Sequence, residues 1–292
     1  MQVPKLAELL TLEKLDEGFY RGQSWDLGFR ALFGGQVMGQ ALAAAQYTVD
    51  DALSCHSFHC YFILPGDVSA PVLYQVESIR DGRSFSTRRT KAIQHGKVIF
   101  DCMVSFQVRE QGLEHQTYQL PDLPMPEDVE PDVARLEHPD AKISMSMREK
   151  LIYHKPIDIR SVRTATNEKE AKRYTWMRLK EPLEANNLMH QTAMSYASDY
   201  PFLMTSMQPH GIYNINKDMR VATIDHAIWF HYPLDFNEWH LYCAESPSAS
   251  GARGYVRGQF FDLNGKLVAS TTQEGLIRCV GDMAVKHGIK ND

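Results

Sequence analysis

An internal repeat constrains this chain more than any other feature. Placed over "WFHYPLDFNEWHLYCAES" (229–246), the segment "YFILPGDVSAPVLYQVES" (61–78) brings Phe62, Pro65, Tyr74, Glu77 and Ser78 onto Phe230, Pro233, Tyr242, Glu245 and Ser246 without a gap. Arg89 falls on Arg257 at the same offset, and after a one-residue slip "HGKVI" (95–99) meets "NGKLV" (264–268). Both of these last segments set a Gly-containing turn between strand-like runs, the mark of a hairpin. A chain that writes one pattern twice predicts two similar halves. Between them, "LPDLPMPEDVEPDVARLEHPD" holds five prolines among many acids, which opposes helix interiors and central strands alike. We read residues 1–110 and 151–292 as two domains joined by a linker over 111–150, with one short helix expected at "SMSMREKLIY" (144–153).

Each half places a helix before several strands. In the first, "GGQVMGQALAAAQYTV" (34–49) is a helix with small residues on most faces, able to lie close against a sheet. Strands are expected near 56–64, 72–80, 85–94 and 97–108. The second half repeats the plan with a helix near 188–199 and strands near 221–232, 239–246, 253–262 and 266–278. Two more, "PIDIRSV" (156–162) and "RYTWMRLK" (173–180), precede that helix. Long antiparallel strands around a central helix form an α+β architecture, and duplication predicts that the two sheets join edge to edge.

Composition narrows the partners. Hydrophobic residues at 43% and charged residues at 23% describe an ordinary globular chain with material for a core. A net charge of −5 supplies no basic field, so nucleic acid is not an expected partner. Five scattered cysteines suggest a reducing compartment rather than a disulfide framework. No stretch approaches the ~18 apolar residues of a membrane span, the N-terminal segment is charged throughout, and "HGIKND" is not a peroxisomal address. The expectation is a cytoplasmic protein without a membrane partner. Exposed sheet edges favour self-association into a homo-oligomer, a dimer or tetramer.

The second-half helix poses a question. "QTAMSYASDY" (191–200) is small and apolar, yet finishes on Asp199, at the end where a helix dipole disfavours a carboxylate. The first-half helix over 36–47 carries no carboxylate at all. If the halves form equivalent clefts, only one has an acid or base on its helix.

Six segments carry a resemblance. "FRALFGGQVMGQAL", "HSFHCYFILPGD", "YASD…PHG", "ATIDHAIWFHYP", "SASGARGYVRG" and "LVASTTQEGLIR" resemble, in order and over nearly the whole chain, the acyl-CoA thioesterase II family of double-hotdog thioesterases. The resemblance implies a tandem double hotdog, each half an antiparallel sheet wrapped around a central helix. It implies hydrolysis of fatty acyl-CoA to free fatty acid and coenzyme A, with acyl-CoA as the partner and no cofactor. Its catalytic residues fall on Asp199, on Thr223 in "VATID" and on Gln273 in "STTQEG".

The chemistry suits those residues. A thioester carbonyl is already activated, so hydrolysis needs a positioned water, a proton acceptor and a donor for the developing oxyanion. Asp199 would take the proton, best if burial raises its pKa. Thr223 and Gln273 would hold the water. Main-chain N–H groups at a helix start, at Gly35 and Gln36 in "GGQ", would polarise the carbonyl; close packing of that helix start is the alternative. His56 and His59 are candidates at the cleft border, with a buried, hydrogen-bonded structural histidine as the alternative for each. Arg88, in the basic stretch "RDGRSFSTRRTK" (80–91), is a candidate for the coenzyme A phosphates, against a charged strand edge as the alternative.

Other chemistries fit less well. Cys55, His56, His59 and Cys60 have the side chains of metal ligands, but on a strand i and i+4 lie about 13 Å apart and neighbours face opposite ways; no metal is expected. There is no G-x-S-x-G elbow and no Walker-type or dinucleotide glycine pattern. Asp51/His56 and Asp235/His240 match the first part of a hotdog hydratase motif, but Phe62 and Ser246 stand where its glycine belongs. A catalytically silent acyl-CoA-binding hotdog protein and a hotdog enoyl-CoA hydratase are therefore the alternatives to the thioesterase.

Overall fold

The computed structural model describes residues 5–137, 155–163, 170–184, 186–200, 202–213 and 218–289. The short helix expected at 144–153 lies outside the described residues. Before the first long helix come α1 (Leu6–Leu10), β1 (Glu13–Asp16) and β2 (Phe19–Gly22); then α2 (Gly34–Gln46), β3 (Leu53–Phe62), β4 (Val72–Asp81), β5 (Phe85–Gln94) and β6 (Lys97–Val108). After α3 (Asp132–Glu137) the plan recurs as β7 (Ile157–Val162), β8 (Lys172–Leu179), α4 (Asn187–Ser198), β9 (Met219–Phe230), β10 (His240–Ser250), β11 (Arg253–Asp262) and β12 (Leu267–Cys279). Two short helices, α5 (Phe202–Met207) and α6 (Gly281–Lys286), flank β9 to β12.

The sheet has mirror-like order. Its 12 strands run β1-β2-β4-β5-β6-β3-β9-β12-β11-β10-β8-β7, so each half contributes the same sequence of neighbours and the halves meet along the antiparallel pair β3–β9. In that seam Ser57 faces Trp229, Tyr61 faces Asp225, and His59 faces Ala227. The residues aligned by the repeat therefore exchange places about a pseudo-twofold axis at His59 and Ala227. The repeated turns fold as expected: His95 and Gly96 on one side and Gly265 on the other have positive φ, the conformation of tight hairpins.

Residues Gly35 to Gln46 of α2 are all buried, because its small side chains let the sheet close on one face and α4 on the other. The two helices run antiparallel. Gln46 Nε2 donates to the Leu188 carbonyl at 3.1 Å and Thr192 Oγ1 donates to Gln46 Oε1 at 2.9 Å. The main core draws on both halves, from Leu42, Phe58 and Phe100 to Tyr196, Ile228 and Phe260.

The expected strands and helices are present with shifted ends. The strand expected at 56–64 already begins at Leu53, and the one expected at 239–246 runs on to Ser250. Both β3 and β9 carry a bulge at equivalent places, His56 and Ile224, where one residue is skipped in the pairing with β6 and β12. The bulge moves the inward-facing set by one residue, so Leu53 and Cys55 face inward before it and Phe58 and Cys60 after it. All five cysteines are free and buried.

Candidate active site

Asp199 is the cap residue that ends α4. Its own helix dipole opposes the carboxylate, but the antiparallel packing of α2 and α4 sets it against the start of α2. There the Gly35 N–H donates to Asp199 Oδ2 at 3.0 Å. The unfavourable end of one helix is thus the favourable end of the other. The first residues of α2 have no side-chain cap from Phe33, so the carboxylate from the other half serves in its place.

Two glycines make this contact possible. A Cβ on Gly34 would stand 2.7 Å from Asp199 Oδ2 and 3.0 Å from the Phe62 ring, and one on Gly35 would stand 2.2 Å from the Tyr196 carbonyl oxygen. Neither position has room for a side chain. Aromatic rings wall the same region: Phe33 lies 4.5 Å from Tyr200 and 5.2 Å from Tyr196 between centroids.

Strands β9 and β12 supply the polar partners. Thr223 Oγ1 donates to Asp199 Oδ1 at 3.3 Å, and Gln273 Nε2 donates to Thr223 Oγ1 at 3.0 Å. Burial pushes the Asp199 pKa up to about 6, offset in part by the donors on Gly35, Thr223 and Gln273. A carboxylate so placed is ionised near neutral pH yet basic enough to take a proton. Behind Gln273 lies His226, 1% exposed, with Nδ1 2.7 Å from Gln273 Oε1 and Nε2 3.0 Å from Ser198 Oγ. Burial lowers its pKa to about 4. His226 was not singled out from the sequence; its position in "TIDH", three residues after Thr223, was the available signal.

The fold brings Asp199, Thr223, Gln273 and Gly35 together but not the remaining candidates. Gln36 gives its N–H to the Phe33 carbonyl, and its side chain accepts from Trp25 N and donates to the Gln23 carbonyl. His59 points to the exposed outer face, edge-on to Trp229, because its neighbours Phe58 and Cys60 face inward. Arg88 is 3% exposed and far along the sheet, at the end of α2. Its Nε and Nη2 bond Thr48 and Asp81, and its Nη1 bonds the carbonyls of Arg80 and Thr87. Those five bonds use all five guanidinium donors, so Arg88 is a structural clamp with nothing left for a phosphate. Among the described residues no group of three His, Cys, Asp or Glu side chains is arranged to hold a metal ion.

Comparison with known proteins matches both halves. A model of the acyl-CoA thioesterase family covers residues 148–276, and one of the acyl-CoA thioesterase N-terminal domain covers residues 22–107. Acyl-CoA thioesterase 2 of Haemophilus influenzae is 41% identical over 277 residues, spanning 94% of this chain and 96% of the relative. The chain belongs to the acyl-CoA thioesterase family. Acyl-coenzyme A thioesterase 8 of Mus musculus is 40% identical, over 94% of this chain and 88% of the relative. Among solved structures, the acyl-CoA thioesterase II TesB2 from Mycobacterium marinum superposes with a TM-score of 0.78 at 35% identity, covering 94% and 98% of the two chains. A hot dog fold protein from Alicyclobacillus acidocaldarius, 20% identical, matches at a TM-score of 0.76 and supports the fold alone.

This thioesterase is therefore a thioester hydrolase on a tandem double hotdog, and the silent binder and the hydratase give way to it. The hydratase-like pairs do not lie on helices: His56 and His240 are on β3 and β10, and Asp51 and Asp235 are in turns or loops. No helix among the described residues is long and apolar enough to cross a membrane.

Proposed function

We propose that the thioesterase hydrolyses fatty acyl-CoA with Asp199 as the base, a water held by Thr223 and Gln273, and the thioester carbonyl polarised at the start of α2. Water gives its proton to Asp199 as its oxygen bonds the thioester carbon. The tetrahedral oxyanion then collapses, the C–S bond breaks, and the departing thiolate takes the proton back from Asp199. The products are a fatty acid and free coenzyme A, and no metal enters any step. The observation that carries this reading is the junction itself: a carboxylate raised to about 6, bonded at 3.0 Å to Gly35 of the other half and at 3.3 Å to Thr223. Gly34 has no hydrogen-bond partner for its N–H among the described residues, which leaves it as the donor for the oxyanion.

In this reading each chain has one productive site, and residues 1–110 and 151–292 are the two hotdog units joined over 111–150. We place the enzyme in the cytoplasm as a homo-oligomer, a dimer or tetramer. The test is release of free thiol from a series of acyl-CoA chain lengths by the wild type and by Asp199→Asn. Loss of at least roughly 10²-fold in kcat is the scale of a positioned base, with the circular dichroism spectrum unchanged. Wild-type turnover by folded Asp199→Asn would overturn the mechanism, and the chain-length series defines the acyl preference.

A further inference from the structure

We propose that His226 is a positioning residue for hydrolysis: it holds Gln273 with its amide nitrogen toward Thr223 and Asp199, and so fixes the direction of the hydrogen bonds that reach the carboxylate. This inference rests on the reading of Asp199 as the base.

A neutral imidazole offers one donor and one acceptor. With its pKa near 4, His226 is neutral wherever Asp199 is ionised. Gln273, 1% exposed, lies between His226 Nδ1 and Thr223 Oγ1, and two arrangements satisfy it. In one, His226 Nδ1–H donates to Gln273 Oε1, Gln273 Nε2–H donates to Thr223 Oγ1, and the Thr223 hydroxyl proton is free for Asp199. In the other, the amide is turned: its carbonyl faces Thr223 and takes that proton. An acceptor then points toward an ionised carboxylate, and Asp199 loses both side-chain donors. Only the first arrangement runs every proton toward the base.

Ser198 stands behind the imidazole, on its Nε2 side. Its Oγ lies 3.0 Å from His226 Nε2 and 2.8 Å from the Ser195 carbonyl oxygen. Its single proton serves one of them at a time. On Nε2 it goes with Nδ1–H and the first arrangement; donated to the Ser195 carbonyl, it leaves Oγ to accept from Nε2–H, with the amide turned. The orientation of Gln273, Oε1 on Nδ1 and Nε2 on Thr223, is that of the first. Ser198 directly precedes Asp199, so the base and the hydroxyl behind His226 share one helix end.

The duplicated half supplies an internal control. The register that pairs His226 with Gln273 pairs Phe58 with Val104 in the first half, and both are fully buried apolar residues. The fold thus forms at this position without a histidine or a glutamine. A buried polar pair that packing does not need, adjoining a carboxylate that the first half lacks, points to a role in the chemistry of that carboxylate. His226 reaches Asp199 only through Gln273 and Thr223, so it positions and does not react.

The experiment compares His226→Leu, His226→Asn and His226→Gln for kcat, KM and thermal stability, with Asp199→Asn alongside. His226→Leu leaves Gln273 free to turn, and kcat falls roughly 10- to 100-fold while KM stays within about twofold. Asn carries an amide donor where Nδ1 stands and recovers most of the rate; Gln reaches toward Ser198 and does not. Folded His226→Leu with wild-type kcat, or Asn and Gln variants of equal activity, would overturn the proposal. If the Leu variant does not fold, the Asn and Gln pair decides alone. An active Asp199→Asn would remove the hydrolytic reading itself, whereas an inactive one beside a fully active His226→Leu removes only the role of His226.

Discussion

The two helix junctions of this enzyme are built on the same backbone plan and finished in opposite ways. At one, α2 begins without a cap of its own and receives Asp199 from α4. At the other, α4 begins with Asn186, whose side chain accepts from the Met189 N–H, and the end of α2 carries Tyr47, whose hydroxyl accepts from the Leu12 N–H. One helix start is capped in cis and closed; the other is capped in trans by a carboxylate. The strands differ in the same sense. Where the Asp199 junction has Thr223, His226 and Gln273, the same register at the other has Cys55, Phe58 and Val104. The other cleft is not filled: a cavity of about 160 Å³ remains, lined by Cys55, His56, Asn187, Gln191 and Phe230. What separates the two junctions is the carboxylate and its hydrogen-bond train.

The strongest way to break this contrast is to copy the first cleft onto the second. The double variant Thr223→Cys, Gln273→Val keeps Asp199 but removes both groups proposed to orient the water. It is expected to lower kcat roughly 10²- to 10³-fold, since positioning and hydrogen-bond donation act together. The expected change in stability is small by comparison, because the first half already packs Cys and Val at these places. Thiol release by a folded double variant above a tenth of the wild-type rate would show that the strand residues do not define the working cleft.

Much of the pseudo-symmetric frame was readable in the sequence because Phe62, Tyr74, Glu77 and Arg89 recur in register, and duplication converts a local pattern into a global one. Asp199 stood out because it breaks a helix rule. What compensates it was not readable: the donor that stabilises it is Gly35, 164 residues away in the chain, and helix-to-helix polarity follows from packing rather than from local pattern. His226 was hidden for the same reason, since an inward face on β9 depends on the bulge at Ile224. Arg88 misled because a basic run looks exposed, whereas folding buries its guanidinium against Thr48 and Asp81. The small elements α1, β1, β2, α5 and α6 are too short to carry a periodic signal.

A second prediction uses pH to separate the clefts. Asp199 has a folded-state pKa raised from 3.8 to about 6, so the native state holds this proton to higher pH than the unfolded chain does. Its burial therefore costs stability progressively from about pH 4 to pH 6 and fully above that. Removing the charge in Asp199→Asn is expected to stabilise the fold above pH 6 by roughly 1–3 kcal/mol, from about 1.4 kcal/mol per pKa unit, and the gain vanishes toward pH 4. His226 acts oppositely: lowered from 6.5 to about 4, it costs stability as pH falls through that window, and it does so in both proteins. Activity follows the same ionisation, with kcat/KM falling tenfold per pH unit below about pH 6 and level above. A Tm difference between the two proteins that does not change from pH 4 to pH 8 would refute this account. Cys55, the register partner of Thr223, adds nothing to the profile, because burial pushes its thiol well above the physiological range.

The smallest effect is expected at Cys55 itself, the register partner of Thr223. Cys55 is 2% exposed, and its Sγ reaches only the Ser57 carbonyl, at 3.6 Å. No carboxylate is hydrogen-bonded to it among the described residues, and the end of α2 beyond it offers Tyr47 rather than an acid. Cys55→Ala therefore removes a small packed group: a loss of roughly 1–2 kcal/mol in stability is in scale for a small buried truncation, and kcat changes by less than about twofold. Thr223→Ala makes the matching truncation on the other side and takes the hydroxyl donor from Asp199, so its kcat is expected to fall at least about tenfold. The ratio of the two effects is the measurement, because both truncations sit at one strand position of one duplicated fold. Equal losses of kcat in the two variants would mean that both clefts turn over substrate, and the distinction drawn between the two junctions would fail.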